Sequence, residues 1–283
     1  MAVSAVVIGR NQAEMVRATL ESLERTVPRE LIEILYVDCG SRDGSPGLEP
    51  DFPGVSFLKM PRNFGWTKAA NIGTRTAKGE YLFLVPPGTV VDPGTIAKLR
   101  AGIEEDPTAN GVSPLEKDEQ GQIVSTGYGL PGADELSRRR AEGAWGKSTA
   151  EWGQSPVAVE FPAGAPVLIK RQSVVQINYF DERFGQFGAD LDFFYQVKRA
   201  GKRIVIRPDI SVVRKGVRAP ELAHGYDAAD LAHGAAAYLG KWSGFGAGLS
   251  ARLGGSLGML GKGSLGGFAG VLSGGKIDGA QGD

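Results

Sequence analysis

The residues able to do chemistry fall in a few polar loops. Gly9-Arg10-Asn11 ends one apolar run, and Asp38-Cys39-Gly40-Ser41-Arg42-Asp43-Gly44-Ser45 ends the next. Arg62-Asn63-Phe64-Gly65-Trp66 comes just before Lys68 and Asn71. Phe180-Asp181-Glu182-Arg183-Phe184 leads to Gly188-Ala189-Asp190-Leu191-Asp192, and Arg214-Lys215 closes the series. Carboxylates placed this way can accept a proton from a reacting hydroxyl. Arginine can grip phosphate with two parallel hydrogen bonds. Gly40 and Gly44 lack Cβ, so their backbones can approach a ligand closely. Taken alone, Asp38 to Ser45 is equally an ordinary strand-to-helix turn. His224 and His233 have no cysteine or carboxylate at ligand spacing and read as surface or packing residues.

These loops need a scaffold, and the apolar runs supply one. Ala5–Ile8, Ile34–Val37, Val55–Leu58 and Tyr81–Val85 read as buried strands of a parallel sheet. Ala13–Arg25, Thr67–Thr76 and Thr95–Glu105 read as the intervening helices. Strand and helix in alternation give right-handed crossovers and a Rossmann-like sheet. Tyr81–Val85 is the central strand, and Pro86-Pro87-Gly88 stops it. Ligands of open α/β sheets sit where central strands end, so this turn is expected at the site. Asp92-Pro93 is expected to open the next helix, with Asp92 as its cap. Further on, Gly111–Pro114, Val157–Phe161, Pro166–Ile169, Ile204–Arg207 and Ile210–Val213 read as strands. Glu119–Gln122 reads as a hairpin turn, and Arg171–Ile177 and Leu191–Ala200 as helices.

Composition narrows the function classes. The 32 Lys and Arg balance 32 Asp and Glu, which argues against a general affinity for nucleic acid. One cysteine, Cys39, excludes an internal disulfide framework, suits a reducing compartment and reads as a small buried thiol. The first residues lack the basic charge of a signal peptide, and no apolar run has transmembrane length. A dehydrogenase is disfavoured because Gly9-Arg10-Asn11 lacks the Gly-x-Gly-x-x-Gly fingerprint.

Five segments in order resemble the inverting family 2 glycosyltransferases, especially their rhamnosyltransferase-like members. They are Ile8–Asn11, Asp38–Ser45, Asn63-Phe64-Gly65 through Ala70-Asn71-Ile72-Gly73, Phe180–Phe184, and Gly188–Asp192. The resemblance covers roughly 2–216. It implies an α/β GT-A fold with a mostly parallel central sheet flanked by helices. It implies a nucleotide-binding half at 1–110 and an acceptor-binding half of the same domain at 111–219, followed by a helical, Gly-rich extension at 220–283. The donor would be a nucleotide-diphosphate sugar and the acceptor a glycan, lipid-linked or protein hydroxyl. Gly9, Asn11, Asp38, Gly40 and Asp43 would form the nucleoside pocket, with Asp38 near the base. Asn63, Gly65, Lys68, Asn71 and Gly88 would lie along the donor, although Asn63, Gly65 and Asn71 read equally as helix-entry residues. Asp190 is implied as the general base, with Asp192 as helix cap or acceptor contact.

The chain also departs from that family pattern. The family ends its central strand in Asn-x-Asp or Asp-x-Asp, whose last carboxylate holds Mg²⁺ or Mn²⁺. Here those positions are Pro86, Pro87 and Gly88, and none offers a side-chain ligand to a hard cation. The family's frequent histidine after the last strand is Arg214, and the first member of its acidic pair is Ala189. Two readings stay open. In one, transfer is metal-independent and fixed cations, with Arg62, Arg214 and Lys215 as candidates, balance the diphosphate. In the other, a catalytically inactive homologue serves as a binding or scaffolding subunit.

Other features bear on the acceptor. Trp66, Trp145 and Trp152 can stack on sugar faces or pack in the core. Arg138-Arg139-Arg140 reads as a solvated face or a contact for an anionic acceptor. Beyond Gly244, glycines alternate with leucines at roughly helical intervals. Each glycine costs about 1 kcal/mol in a helix interior, so an isolated helix is not expected to be stable there. The tail reads either as disordered or loosely helical, or as a segment that docks on a membrane surface or a protein. The expected location is cytoplasmic, free or at the inner face of a membrane.

Overall fold

The computed structural model describes residues 2–29, 32–124, 127–132, 153, 155–162, 164–216, 225–261 and 263–279. Among them nine strands form one sheet. They are β1 (Val3–Gly9), β2 (Ile32–Asp38), β3 (Val55–Lys59), β4 (Tyr81–Val85), β5 (Thr89–Val90), β6 (Ala109–Lys117), β7 (Val157–Val159), β8 (Val167–Lys170) and β9 (Arg203–Arg214). The order is β3-β2-β1-β4-β8-β6-β9-β5, with β7 on β9. The helices are α1 (Ala13–Glu24), α2 (Gly65–Thr76), α3 (Thr95–Glu105), α4 (Arg171–Gln176), α5 (Ala189–Arg199), α6 (Gly225–Trp242), α7 (Phe245–Gly261) and α8 (Leu265–Ser273).

The first four long strands pair in parallel, as their unbroken apolar runs require. Beyond β4 the sheet is mixed. β4 pairs antiparallel with β8, β8 with β6, and β9 with both β5 and β7. β6 and β9 pair in parallel over the longest register of the sheet, so the expected mostly parallel sheet is present, with β8, β5 and β7 as its antiparallel members. Strand β6 spans residues 109–117, so position 110/111 lies inside a strand and both halves share one sheet. Layers of side chains cover each face. Val6, Leu35, Val37 and Leu82 pack one way, toward α2 and α5; Val3, Ala5, Val7 and Phe83 pack the other, toward α1 and α3.

Several boundaries shift for physical reasons. Asp92 does not cap α3. Its backbone N–H donates to Thr95 Oγ1 and its carbonyl accepts from Thr95 N–H, and this extra turn delays the helix to Thr95. The two short strands expected at 204–207 and 210–213 are one strand, β9. A register shift against β6, between Pro114 and Leu115, absorbs Pro208 as a bulge. The turn at 119–122 is present: Asp118 N–H donates to Gln122 O, and Lys117 bridges Ile123.

The Gly-rich tail is helical. α7 and α8 pack on each other and on α6, so neither is an isolated helix. A Cβ on Gly248 would sit 2.6 Å from Gly240 Cα, so glycine lets α6 and α7 touch backbone to backbone. The tertiary contact offsets the propensity cost that argued against helix here.

Candidate functional site

The central strand ends in a tight turn. Thr89 N–H donates to Pro86 O at 3.2 Å, with Pro87 at the second position and Gly88 at φ +90 in the third. That is the Pro-Gly signature of a type II turn. Gly88 N–H donates to Met15 O and Thr19 Oγ1, and Gly88 O accepts from Lys215 N–H at 2.8 Å. The turn is thus fastened to α1 and to the end of β9.

Beside it lies a cavity of about 230 Å³. Val6 and Ile8 of β1 and Leu84, Pro86 and Pro87 at the end of β4 form one wall. Trp66, Phe187 and Phe193 form the other, and Asp190 is the single charged side chain lining it. Aromatic rings brace this wall: Trp66 meets Phe180 edge-on, centroids 5.2 Å apart. The expectation that Pro86-Pro87 and Asp190 share one site is met in geometry.

Asp190 stands in the first turn of α5. The helix is capped by Gly188 at φ +104, where a Cβ would fall 2.7 Å from the Phe184 ring. The loop before it is tied on three sides. Gly185 O accepts from Thr67 N–H and Thr67 Oγ1, and Gln186 Oε1 accepts from Trp66 N–H at 3.0 Å. Asp230 of α6, buried, accepts from Gln186 and Phe187 N–H, each at 2.9 Å, and from Ile277 N–H at 2.7 Å. One carboxylate thereby joins the Asp190 loop, α6 and the end of the tail. The Asp190 carboxyl is pushed above its ordinary value, chiefly by burial in the apolar wall and despite the N–H of Leu191 at 2.9 Å.

The loops after β1 and β2 form a second cluster. Asn11, at φ 54, accepts from Arg42 N–H at 2.8 Å through its side chain. Ser41 Oγ accepts from Asn11 N–H, and Asp43 accepts from Ala13 and Ser45 N–H. Burial works against ionisation of Asp43, but Ser45 and the Ala13 N–H hold its carboxyl below the ordinary value. Asp38 is buried; it accepts from Tyr36 Oη–H at 3.0 Å and Ser41 N–H at 3.1 Å. Its first role is to shape the loop. Gly9 packs against Pro87, where a Cβ would lie 3.1 Å from Cγ, so this cluster adjoins the cavity wall.

Gly40 has a neighbour within the chain: at φ +69, its missing Cβ makes room for the Arg62 backbone, 2.5 Å from where that Cβ would be. Gly40→Ala is therefore expected to destabilise the chain by about 1–3 kcal/mol, read from the urea midpoint.

Other expected site residues have structural duties. Asn63 Oδ1 accepts from Gly65 N–H at 2.9 Å and opens α2. Gly65, at φ +82, leaves room for the Gly185 backbone. Asn71 is buried; it donates to Phe180 O and Glu182 and accepts from Phe180 N–H. It holds α2 to the 180–182 turn and does not line the cavity. Asp192 does not cap α5, since Gly188 holds that position. It is buried, 2.8 Å from Lys241 Nζ, and it accepts from Trp242 Nε1 at 2.8 Å and from Gln196. Arg214 is also committed: Nη1 lies 3.7 Å from the buried Glu116 and donates to Thr89 Oγ1 at 3.1 Å. Its guanidinium thus faces Glu116 and Thr89 inside the fold. Arg62 and Lys68 lie over the Phe64 ring, 5.4 and 4.6 Å from its centroid, and both are exposed, as is Lys215. Trp145, Trp152, Arg138-Arg139-Arg140 and His224 lie outside the described residues. Cys39 is buried, its thiol pushed up to about 12 by burial.

The residues at the end of β4 do not fit a hard divalent cation. Pro86, Pro87 and Gly88 carry no side-chain oxygen, and Thr89 Oγ1 is engaged by Arg214. Among the described residues no group of three or more His, Cys, Asp and Glu could hold a metal ion.

A family model described as Glycosyl transferase family 2 matches residues 4–150. The chain belongs to that family. A relative from Mycobacterium tuberculosis, N-acetylglucosaminyl-diphospho-decaprenol L-rhamnosyltransferase, is 24% identical over 204 residues. That match covers 64% of this chain and 66% of the relative, so the chain spans just under two thirds of the relative's length. Solved glycosyltransferase structures share the fold. GalNAc-T7 with UDP, GalNAc and Mn²⁺ superposes with a TM-score of 0.62 at 18% identity, covering 82% of this chain and 47% of that one. The mannosyltransferase PcManGT from Pyrobaculum calidifontis, in complex with GDP-Man and Mn²⁺, gives 0.57 at 18% identity, covering 96% and 79%. Staphylococcus aureus TarS in complex with UDP-GlcNAc gives 0.59 at 16% identity, covering 85% and 67%. This family 2 chain thus has the GT-A architecture, with Pro-Pro-Gly at the end of its central strand.

Proposed function

We propose that the chain transfers a sugar, a hexose or deoxyhexose, from a nucleotide-diphosphate donor to an acceptor hydroxyl with inversion. The observation that carries this is Asp190, the single charged side chain lining the apolar cavity beside the central strand's end. In the proposed step the acceptor oxygen attacks the anomeric carbon as Asp190 takes its proton. The bond to the diphosphate breaks on the opposite face, and the nucleoside diphosphate leaves with the electron pair. Burial that raises the Asp190 pKa makes its carboxylate a stronger base. The loops joined by Asn11, Ser41 and Asp43 would hold the nucleoside. Arg62, Lys68 and Lys215 are the cations that would balance the leaving diphosphate, because no carboxylate at the end of β4 can bring a metal there. A glycan on a lipid diphosphate is the acceptor class suggested by the M. tuberculosis relative's name.

The test is calorimetric titration with UDP-, GDP- and dTDP-sugars in EDTA and again with Mn²⁺. One donor is expected to bind with the same affinity in both. Arg62→Ala and Lys215→Ala are each expected to weaken it by about fivefold to tenfold. Absence of nucleotide binding under both conditions would leave the reading without support.

A further inference from the structure

The outer face of α7 is built the wrong way round for a helix that meets only water. Its buried positions are small or flexible: Gly248, Ala251, Gly255, Ser256 and Met259. Its large apolar side chains point outward: Phe245 is 81% exposed, Leu257 63%, and Leu249, Leu253 and Leu260 are exposed beside them. Positions 245, 249, 253, 257 and 260 fall on one side of the helix. Leu265 and Leu272 of α8 are exposed as well. Contiguous exposed apolar surface of this kind marks a contact site.

Charge says what the contact is. From Leu231 to Ile277 the sequence has no Asp or Glu but carries Lys241, Arg252, Lys262 and Lys276. A groove of about 570 Å³ opens next to the stripe. Phe245 and Leu249 line it together with Arg183, Lys241, Arg252 and Lys276, and no carboxylate does. Arg183 and Lys241 are each ion-paired to Asp181 behind it, and Lys276 Nζ donates to Glu182 O, which leaves Arg252 as the cation of the groove that borders the stripe. No helix of the described residues is long and apolar enough to cross a membrane. An apolar stripe bordered by cations is the pattern of a helix lying in an interface.

We infer that α7 and α8 dock on the surface of an anionic phospholipid bilayer. Phe245, Leu249, Leu253 and Leu257 enter the acyl boundary, and Arg252 meets headgroup phosphates. This goes beyond the transferase reading and does not depend on it, because the docking needs no nucleotide.

The experiment is flotation of the full chain with vesicles of phosphatidylcholine alone and of phosphatidylcholine mixed with phosphatidylglycerol. The chain is expected to float with the mixed vesicles and to remain behind with the neutral ones. Leu253→Gln combined with Leu257→Gln is expected to lower the bound fraction constant by about tenfold or more. Arg252→Glu is expected to remove the preference for the anionic lipid. The leucine variant replaces exposed side chains and Arg252→Glu a half-buried one, and an unchanged thermal melt checks that both fold. The inference is overturned if the chain stays behind with both vesicles, or if the double leucine variant floats as well as the parent. It is also overturned if light scattering finds a dimer that the leucine variant converts to monomer while neither binds lipid; the stripe would then meet a second copy.

Discussion

Asp190→Asn is expected to lower the rate of sugar transfer by about 10²–10⁴-fold while leaving donor affinity unchanged. The amide keeps the shape of the side chain and its hydrogen bond with the Leu191 N–H region, but it cannot take a proton. The pH profile gives the same role a second readout. Burial pushes the Asp190 carboxyl above its ordinary value of 3.8. Only the ionised form is a base, so kcat/KM is expected to rise with pH through that raised pKa and then level off. The residual activity of Asp190→Asn should be flat over the same range. Stability moves the opposite way. A carboxyl whose pKa is higher in the folded state favours folding at low pH, and the benefit is lost as pH rises from the unfolded to the folded value. Asp190→Asn is therefore expected to be more stable than the parent at neutral pH. Loss of activity with a gain in melting temperature separates a catalytic group from a structural one. A variant that loses both together would assign Asp190 to the scaffold.

Asp230→Ala is expected to cost about 3 kcal/mol of stability. Its carboxylate is buried and accepts from the N–H groups of Gln186, Phe187 and Ile277. Alanine leaves all three donors without that acceptor in a place where water has little room. Urea unfolding monitored by tryptophan fluorescence measures the loss. Transfer should fall as well, because the freed loop leads directly through Gly188 to Asp190. Asp230→Asn retains one acceptor oxygen and should lie between the two. If Asp230→Ala unfolds at the parental urea concentration, the tie between α6 and the Asp190 loop is not the one that holds it.

The elements legible in the sequence are those whose pattern is local. β1, β2 and β4 are continuous apolar runs ended by polar or Pro-Gly turns, and the structure keeps them within a residue or two. The Pro-Pro-Gly turn announces its own geometry, since proline fixes one φ and glycine supplies the positive one. What the sequence hides is partnership across long separations. Asp92 looks like a cap because Asp-Pro usually is one, yet Thr95 offers its backbone a competing turn. Asp192 has the look of a helix cap or an acceptor contact, and only the fold shows Lys241 and Trp242, some fifty positions away, bonded to it. Arg214 stands where the family often has a histidine and reads as a cation for the diphosphate, and only the fold reveals Glu116 beside it. Asp230 gave no signal beyond a carboxylate in an alanine-rich helix. Phe187 and Phe193, which wall the cavity, read only as apolar positions. The tail misleads for a related reason. Helix propensity counts each glycine as a cost, whereas Gly240 and Gly248 are what allow two helix backbones to meet.

The turn that ends β4 is thus a structural brace beside the cavity, fastened by Thr19, Met15 and Lys215, and it offers a metal no side chain. The account rests on transfer proceeding without one. The measurement that tests it most directly is turnover of the bound nucleotide sugar by the full chain, first stripped with EDTA and then titrated with Mn²⁺ and Mg²⁺. The account predicts transfer in EDTA at the full rate, unchanged by either ion and abolished by Asp190→Asn. A rate that is absent in EDTA and restored by a divalent ion would contradict it.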